Sequence, residues 1–167
     1  MIQVYTGCGK GKTTAALGAA LRASGAGLKV YICQFLKGKY YCELAALKKL
    51  KNIKVDQFGT SCFVGRKPSK KDIDLARAGL KAASKAILKK SYDLIILDEI
   101  NVAVKLGLLK LGDVIEIIDK LPGRTELILT GRYAHPKIMK IADLVSEIKE
   151  VKHYYNKGVK ARKGIEF

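Results

Sequence analysis

Apolar residues fall along this chain in short blocks, and two spacings alternate. Residues 2–6 (IQVYT), 28–35 (LKVYICQF), 92–100 (YDLIILDEI) and 125–131 (TELILTG) are nearly continuous apolar runs. Such runs predict strands buried on both faces of a parallel sheet. Residues 53–58 (IKVDQF) alternate like a strand, and 144–151 (LVSEIKEV) predict a last one. Between them lie helical stretches. The first runs from about Lys12 to Ser24, rich in Ala and Leu, and ends at Gly25 and Gly27. A short one covers 43–51 and a long one about 72–90. Another, 112–121, is stopped by Pro122, and a short one opens at Pro136. Residues 59–71 (GTSCFVGRKPSKK) form the longest irregular stretch.

Strands alternating with helices predict an α/β fold with a doubly wound, mostly parallel sheet, in one domain spanning 1–167. Residues 152–167 are polar and read as a tail ordered by itself or by ligand. Ligands of such sheets bind beyond the carboxyl ends of the strands. The segments 7–13, 35–43, 59–71, 98–101 and 131–135 are therefore expected on one rim.

The first of those segments carries chemistry. Residues 6–14 read TGCGKGKTT, at the junction of a strand and a helix. Glycines 7, 9 and 11 allow backbone N–H groups to turn around an anion, and the helix beginning near Lys12 adds its positive end. Lys12 can bridge phosphate oxygens, and the Thr13 hydroxyl can ligate Mg²⁺. This predicts a RecA-like P-loop nucleotide-binding domain. The usual loop has glycine five places before the Gly-Lys pair, where this chain has Thr6; Gly7 stands one place late. Asp98 and Glu99 end the run LIIL, and a carboxylate on the strand beside the loop is where nucleotide-bound Mg²⁺ finds a second protein ligand. One of the two acids could instead cap the next helix near Asn101, or Glu99 could activate water. Arg22 and Arg132 could neutralise polyphosphate or make ordinary surface pairs. Cys8 is a candidate thiol in the loop or a small filler. Tyr40, Tyr41, Phe58 and Phe63 could wall a flat ring ligand or pack the core. His153 reads as structural.

Composition narrows this picture. With 49% hydrophobic residues among 167, the chain can bury a core, and no stretch approaches the ~20 apolar residues of a membrane span. Met1 leads directly into strand-like sequence, so no signal peptide is expected. Cys8, Cys33, Cys42 and Cys62 form no CxxC pair, and only two histidines exist, which argues against zinc and for reduced, cytoplasmic thiols. The net charge of +17 suits nucleic acid, an anionic membrane or an acidic partner. Its lysines are spread along solvated faces, and neither a recognition helix nor an aromatic-rich binding strand stands out, so nucleic acid is not the expected partner.

Four stretches together carry a more specific signal. Residues 4–38 (VYTGCGKGKTTAALGAALRASGAGLKVYICQFLKG), 94–101 (LIILDEIN), 127–132 (LILTGR) and 151–167 (VKHYYNKGVKARKGIEF) resemble the P-loop ATP:corrinoid adenosyltransferases. The resemblance runs from residue 2 to 167 and is most specific at the two ends. It implies transfer of the 5′-deoxyadenosyl group of ATP to the Co(I) of a reduced corrinoid, with triphosphate leaving whole. It further implies a nucleotide held in reverse on the modified loop. Gly7, Cys8, Gly9, Lys10, Gly11, Lys12, Thr13 and Thr14 would line the triphosphate site, with Arg22 and Arg132 near the nucleotide. Lys12, Thr13 and Glu99 would be catalytic, and Thr13, Asp98 and Glu99 would serve Mg²⁺ or Mn²⁺. A homodimer and a flavoprotein electron donor are the implied partners.

Co(I) is itself the nucleophile, so the lack of a Ser-His-Asp or Cys-His set agrees with this reading; alignment and leaving-group stabilisation suffice. Two departures stand out. Longer members carry a segment before the first strand, so closure is expected from a partner subunit or elsewhere. Many members have Gly-Phe-Thr-Trp where this chain reads GTSCFVG, and Phe63 is the expected substitute at the corrinoid. The competing readings are a small P-loop ATPase or kinase cutting at the γ-phosphate, and a basic nucleic-acid-binding protein with strongly salt-dependent affinity.

Overall fold

A computed structural model of the chain describes residues 1–60 and 67–167. Phe63 and Cys62 lie outside the described residues. The elements run β1 (Ile2–Thr6), α1 (Lys12–Gly25), β2 (Val30–Phe35), α2 (Cys42–Leu47), β3 (Ile53–Phe58), α3 (Lys70–Leu88), β4 (Leu94–Asp98), α4 (Ile100–Lys105), α5 (Leu111–Asp119), β5 (Glu126–Thr130), α6 (Pro136–Ile141) and β6 (Leu144–Glu147). A 3₁₀ turn, Tyr154–Lys157, follows in the tail.

Among the described residues the strands form one six-stranded sheet in the order β3-β2-β4-β5-β1-β6, every neighbouring pair parallel. Alternation along each strand sorts its side chains between two helical layers. Val30, Ile32, Leu94, Ile96 and Ile128 pack against α1 and α2 through Ala16, Ala20 and Leu47. Tyr31, Cys33, Phe35, Ile95, Leu97, Leu127 and Leu129 pack against α3 to α6 through residues such as Ala83, Ile100, Ile118 and Ile138. Ala16 and Ala20, four apart, lie fully buried, which lets α1 sit flush on the sheet. Phe58 belongs to the core and not to a ligand wall: with Phe35 it closes over Gly79 of α3, where a Cβ would come within 2.9 Å of either ring.

Four element boundaries differ from the sequence reading. The chain turns at Glu99 into a helix, α4, that the run through residue 100 concealed. Helix α2 ends at Leu47, not residue 51. Strand β6 stops at Glu147, because it is an exposed edge strand paired only with β1. The long helix starts at Lys70, earlier than expected, because Ser69 and Asp72 form a reciprocal capping box.

A phosphate-loop cavity between two carboxylate clusters

The rim at the carboxyl ends of the strands holds a cavity of about 920 Å³. Residues 9–14, Lys37, Tyr41, Glu99, Val102 and Arg132 line it, as does the tail through His153, Ile165, Glu166 and Phe167. Of the rim expected, segments 7–13, 35–43, 98–101 and 131–135 contribute to the lining, with 152–167 added; segment 59–71 falls partly outside the described residues, and its described part does not line the cavity. Local backbone helps aim it. Leu36, Glu99 and Tyr133, each just past a strand, hold left-handed φ values of 60°, 63° and 62°. Non-glycine residues adopt this region at a cost, typically where surrounding structure over-determines them.

The loop glycines divide their work. Strand β6 runs on beside the loop: the Ile148 N–H donates to Thr6 O and the Gly9 N–H donates to Ile148 O, both at 2.8 Å. A Cβ on Gly9 would lie 2.7 Å from the Lys149 carbonyl oxygen, and one on Gly7 would collide with Ile148. These two glycines therefore admit the chain after β6, and the Gly9 N–H is spent on that seam and not aimed at an anion. Gly11, at φ 118° with open space around it, is the turn into α1.

Lys12 is buried, and its Nζ donates to Gly9 O at 2.6 Å. Burial pushes its pKa down, against the pull of Glu99. Next to it lies the first carboxylate cluster. Asp98 is 1% exposed and accepts from the Thr13 hydroxyl (2.9 Å) and the Thr130 hydroxyl (2.6 Å) on Oδ1. Its Oδ2 accepts from the Gln34 amide (3.1 Å) and the Lys37 ammonium (2.8 Å). Lys37 also reaches Thr13 Oγ1 at 3.3 Å. Burial acts against the Lys37 charge, yet Asp98 more than reverses this and holds its pKa up. Glu99 is half-buried beside Gly131. Burial, then Asp98, raises its pKa, opposed by Lys37, Lys12 and Arg132. It does not cap α4 with its side chain. Asp98 is not on the strand beside the loop, contrary to expectation. Strand β5 intervenes between β1 and β4, and Thr130 at its end bridges the gap.

The second cluster lies on the tail side. The Lys10 ammonium donates to Glu166 Oε1 (2.8 Å) and the Tyr154 hydroxyl (2.6 Å), and Tyr154 in turn donates to Glu166. The Arg162 N–H donates to Glu166 Oε2 at 2.6 Å, and its guanidinium stands 4.9 Å from the Tyr154 ring centre. Arg162 first, then Lys10 and Tyr154, hold the Glu166 carboxyl well below the usual carboxylate range. His153 accepts the Tyr155 N–H at 3.0 Å, opening the 3₁₀ turn, so it is structural while also lining the cavity.

Among the sequence-predicted residues, Gly9, Lys10, Gly11, Lys12, Thr13, Thr14, Glu99 and Arg132 line the cavity, and Asp98 stands behind Thr13. Gly7 and the exposed Cys8 are not in the lining. Arg22 is not either. It sits in the last turn of α1, about 15 Å along the helix from Lys12, and its charge bears on the Tyr5 phenol. Of the aromatics, Tyr41 lines the cavity, whereas Tyr40 lines a smaller one of about 350 Å³. Lys37, Gln34, Thr130, Tyr154 and Glu166 bond directly to predicted site residues and were missed by sequence reasoning. A polar residue at the end of a buried strand was the available signal for Gln34 and Thr130. The oxygens fit Mg²⁺: a hydroxyl and a carboxylate converge on one protein ammonium, a stand-in cation. No group of three or more His, Cys, Asp or Glu gathers among the described residues.

Over residues 1–167 the chain matches the family described as ATP:corrinoid adenosyltransferase BtuR/CobO/CobP. It is 35% identical over 167 residues to a corrinoid adenosyltransferase of Escherichia coli K12, covering 100% of this chain and 85% of that protein. It is 35% identical over 169 residues to the corrinoid adenosyltransferase of Pseudomonas aeruginosa, covering 100% and 83%. The corrinoid adenosyltransferase CobA of Salmonella typhimurium is likewise 35% identical over 167 residues, covering 100% and 85%. Among solved structures, a KaiC-like protein from the archaeon Pyrococcus horikoshii superposes with a TM-score of 0.55 at 20% identity, covering 90% of this chain and 74% of that one. That likeness is one of fold, the RecA-like P-loop architecture.

Proposed function

The chain belongs to the ATP:corrinoid adenosyltransferase family, and we propose that its rim cavity holds the ATP and presents it to the corrinoid. The protein transfers the 5′-deoxyadenosyl group of ATP to a reduced corrinoid. The cobalt supplies the electron pair of the new Co–C bond, the C5′–O bond breaks, and its electron pair leaves on triphosphate. No proton has to move, so the cavity needs positioning and charge, not a base.

In this reading Gly11, Lys12, Thr13 and Thr14 hold the triphosphate, and Arg132 faces it from the β5 loop. Lys12 leaves its Gly9 carbonyl contact for phosphate oxygen. Thr13, Asp98 and Glu99 hold Mg²⁺ or Mn²⁺, which would supply positive charge to the leaving triphosphate. Lys37, Lys12 and Arg132 oppose the upward push of burial and Asp98 on the Glu99 carboxyl. Gly7 and Gly9 act by shape, letting the 148–149 backbone brace the loop. Lys10 fastens the tail, and the tail closes one wall of the cavity. Tyr41, Leu17, Leu21 and Val102 supply an apolar face on which flat rings can rest. Phe63 keeps its proposed place at the corrinoid.

The observation that carries this reading is the joining of loop and tail. The tail that distinguishes the family in sequence returns to the phosphate loop through Lys10, Tyr154 and Glu166 and walls the same cavity. No helix among the described residues is long and apolar enough to cross a membrane. A cytoplasmic homodimer receiving electrons from an acidic flavoprotein is the accompanying expectation. The +17 charge supports the electron donor, and the exposed Leu144 and Val145 of edge strand β6 support a second subunit.

The test is an anaerobic mixture of protein, ATP, Mg²⁺ and chemically reduced cobalamin, followed by visible spectrum and phosphate analysis. A cobalt–carbon spectrum with intact triphosphate is expected. ADP and orthophosphate without that spectrum would overturn the proposal. Phe63→Ala should lose more activity with Co(II) plus a reductase than with Co(I) supplied directly; equal losses would remove Phe63 from the corrinoid site.

A further inference from the structure

The oxygens assigned to the metal already face a cation that belongs to the protein. Lys37 Nζ lies 2.8 Å from Asp98 Oδ2 and 3.3 Å from Thr13 Oγ1. Its side chain is 14% exposed, and the Tyr41 ring centre lies 5.2 Å from the ammonium. The backbone on either side is pinned. Leu36 holds a left-handed φ of 60°, and its N–H donates to Phe58 O at 3.0 Å. Gly38 lies so close to the Gly59 carbonyl that no Cβ would fit there. A chain clamped on both sides of one residue sends that side chain in a single direction, here between β4 and the phosphate loop.

We propose that Lys37 is the resident counter-cation of the metal site: it neutralises Asp98 in the nucleotide-free protein, excludes free divalent cation, and yields only to metal delivered with triphosphate. The inference rests on the assignment of Thr13 and Asp98 to the metal. A divalent ion entering alone would add two positive charges where Lys37, Lys12 and Arg132 already outnumber the two acids. An ion arriving with triphosphate brings net negative charge, and the displaced ammonium then has phosphate oxygens to turn to. Lysine suits this role, since it is a compact point charge on a flexible stem, whereas arginine is a rigid fork. Lys37 is thus a positioning residue that makes metal binding conditional on nucleotide.

The experiment measures Mn²⁺ binding to nucleotide-free protein by electron paramagnetic resonance, which counts free Mn²⁺. Lys37→Gln should bind Mn²⁺ at least about tenfold more tightly than wild type, given the loss of one adjacent positive charge. Lys37→Arg should stay near wild type, and Lys37→Gln with Asp98→Asn should lose the gain. Equal affinities in wild type and Lys37→Gln would overturn the inference. So would wild type binding Mn²⁺ as tightly without ATP as with it, a result that needs no variant to fold. If Asp98→Asn leaves binding of the Mn²⁺·ATP complex unchanged, the metal assignment itself fails, and the inference with it.

Discussion

Two carboxylates flank the phosphate loop, and they are held in opposite ways. Asp98 is buried at the end of a central strand and receives four hydrogen bonds from four different segments. Glu166 stands at the end of the tail, and its partners Lys10 and Arg162 remain 39% and 52% exposed. The loop contributes one residue to each: Thr13 to Asp98 and Lys10 to Glu166. Burial makes the first cluster costly to break, because a partner left behind keeps its charge away from water. Solvent makes the second cheap to break and to re-form. The buried cluster is suited to fix where the metal and triphosphate sit, and the exposed one to let the tail come and go.

Breaking the buried side should have the largest effect. Asp98→Ala strands the Lys37 ammonium and should cost about 3–5 kcal/mol of stability, read by denaturant unfolding. A loss under about 1 kcal/mol would mean that Lys37 escapes to water and the cluster is not a rigid unit. The two loop lysines sharpen the contrast in activity. Lys12→Ala should lower kcat/KM by about 10²–10³, the scale of one lost donor to a developing anion. Lys10→Ala should cost about tenfold or less, the effect of a loosened tail. Similar losses would place both lysines on the triphosphate.

Smaller again is Glu166→Gln, which should leave global unfolding unchanged while residues 154–167 lose amide-exchange protection. The pH dependence follows from the depressed Glu166 pKa. A carboxyl whose folded pKa lies below its unfolded value contributes fully above the ordinary range, near ~4.3, and is lost as pH falls through the folded value. Wild-type tail protection should therefore persist at pH ~4.3 and weaken only below it. Loss already near pH 6 would place the controlling titration elsewhere. The smallest effect is ionic: 1 M salt, with a Debye length of about 3 Å, should loosen the tail and leave the buried cluster intact.

The buried cluster also marks where sequence reading succeeds and where it stops. Thr13 and Asp98 were legible, because a Gly-Lys-Thr at a strand–helix junction and acids closing an apolar run each mean something locally. Lys37 was not, since one lysine among many after LKVYICQF differs from the others only in being clamped by Leu36, Gly38 and Gly59. Arg22 shows the converse: a cation close to the loop in sequence is set at the far end of α1, outside the cavity lining, by three turns of helix. Phe58 belonged to the core because Gly79 of α3 leaves a gap that its ring fills. The bounds of helix α4 were not legible, since the left-handed turn at Glu99 leaves the apolar run uninterrupted.

By itself the sequence determined the periodic elements, the two faces of the sheet, the phosphate loop and the acid pair, all of which follow from local spacing and backbone preference. Tertiary structure alone decided strand order, with β5 and Thr130 set between the loop strand and Asp98. It decided that Gly7 and Gly9 serve the 148–149 backbone, that Lys37 fills the space between Thr13 and Asp98, and that Lys10 reaches 156 residues along the chain to Glu166. Each of these joins residues distant in sequence, and the energy that selects such contacts exists only once the sheet has closed and water has left the space between them.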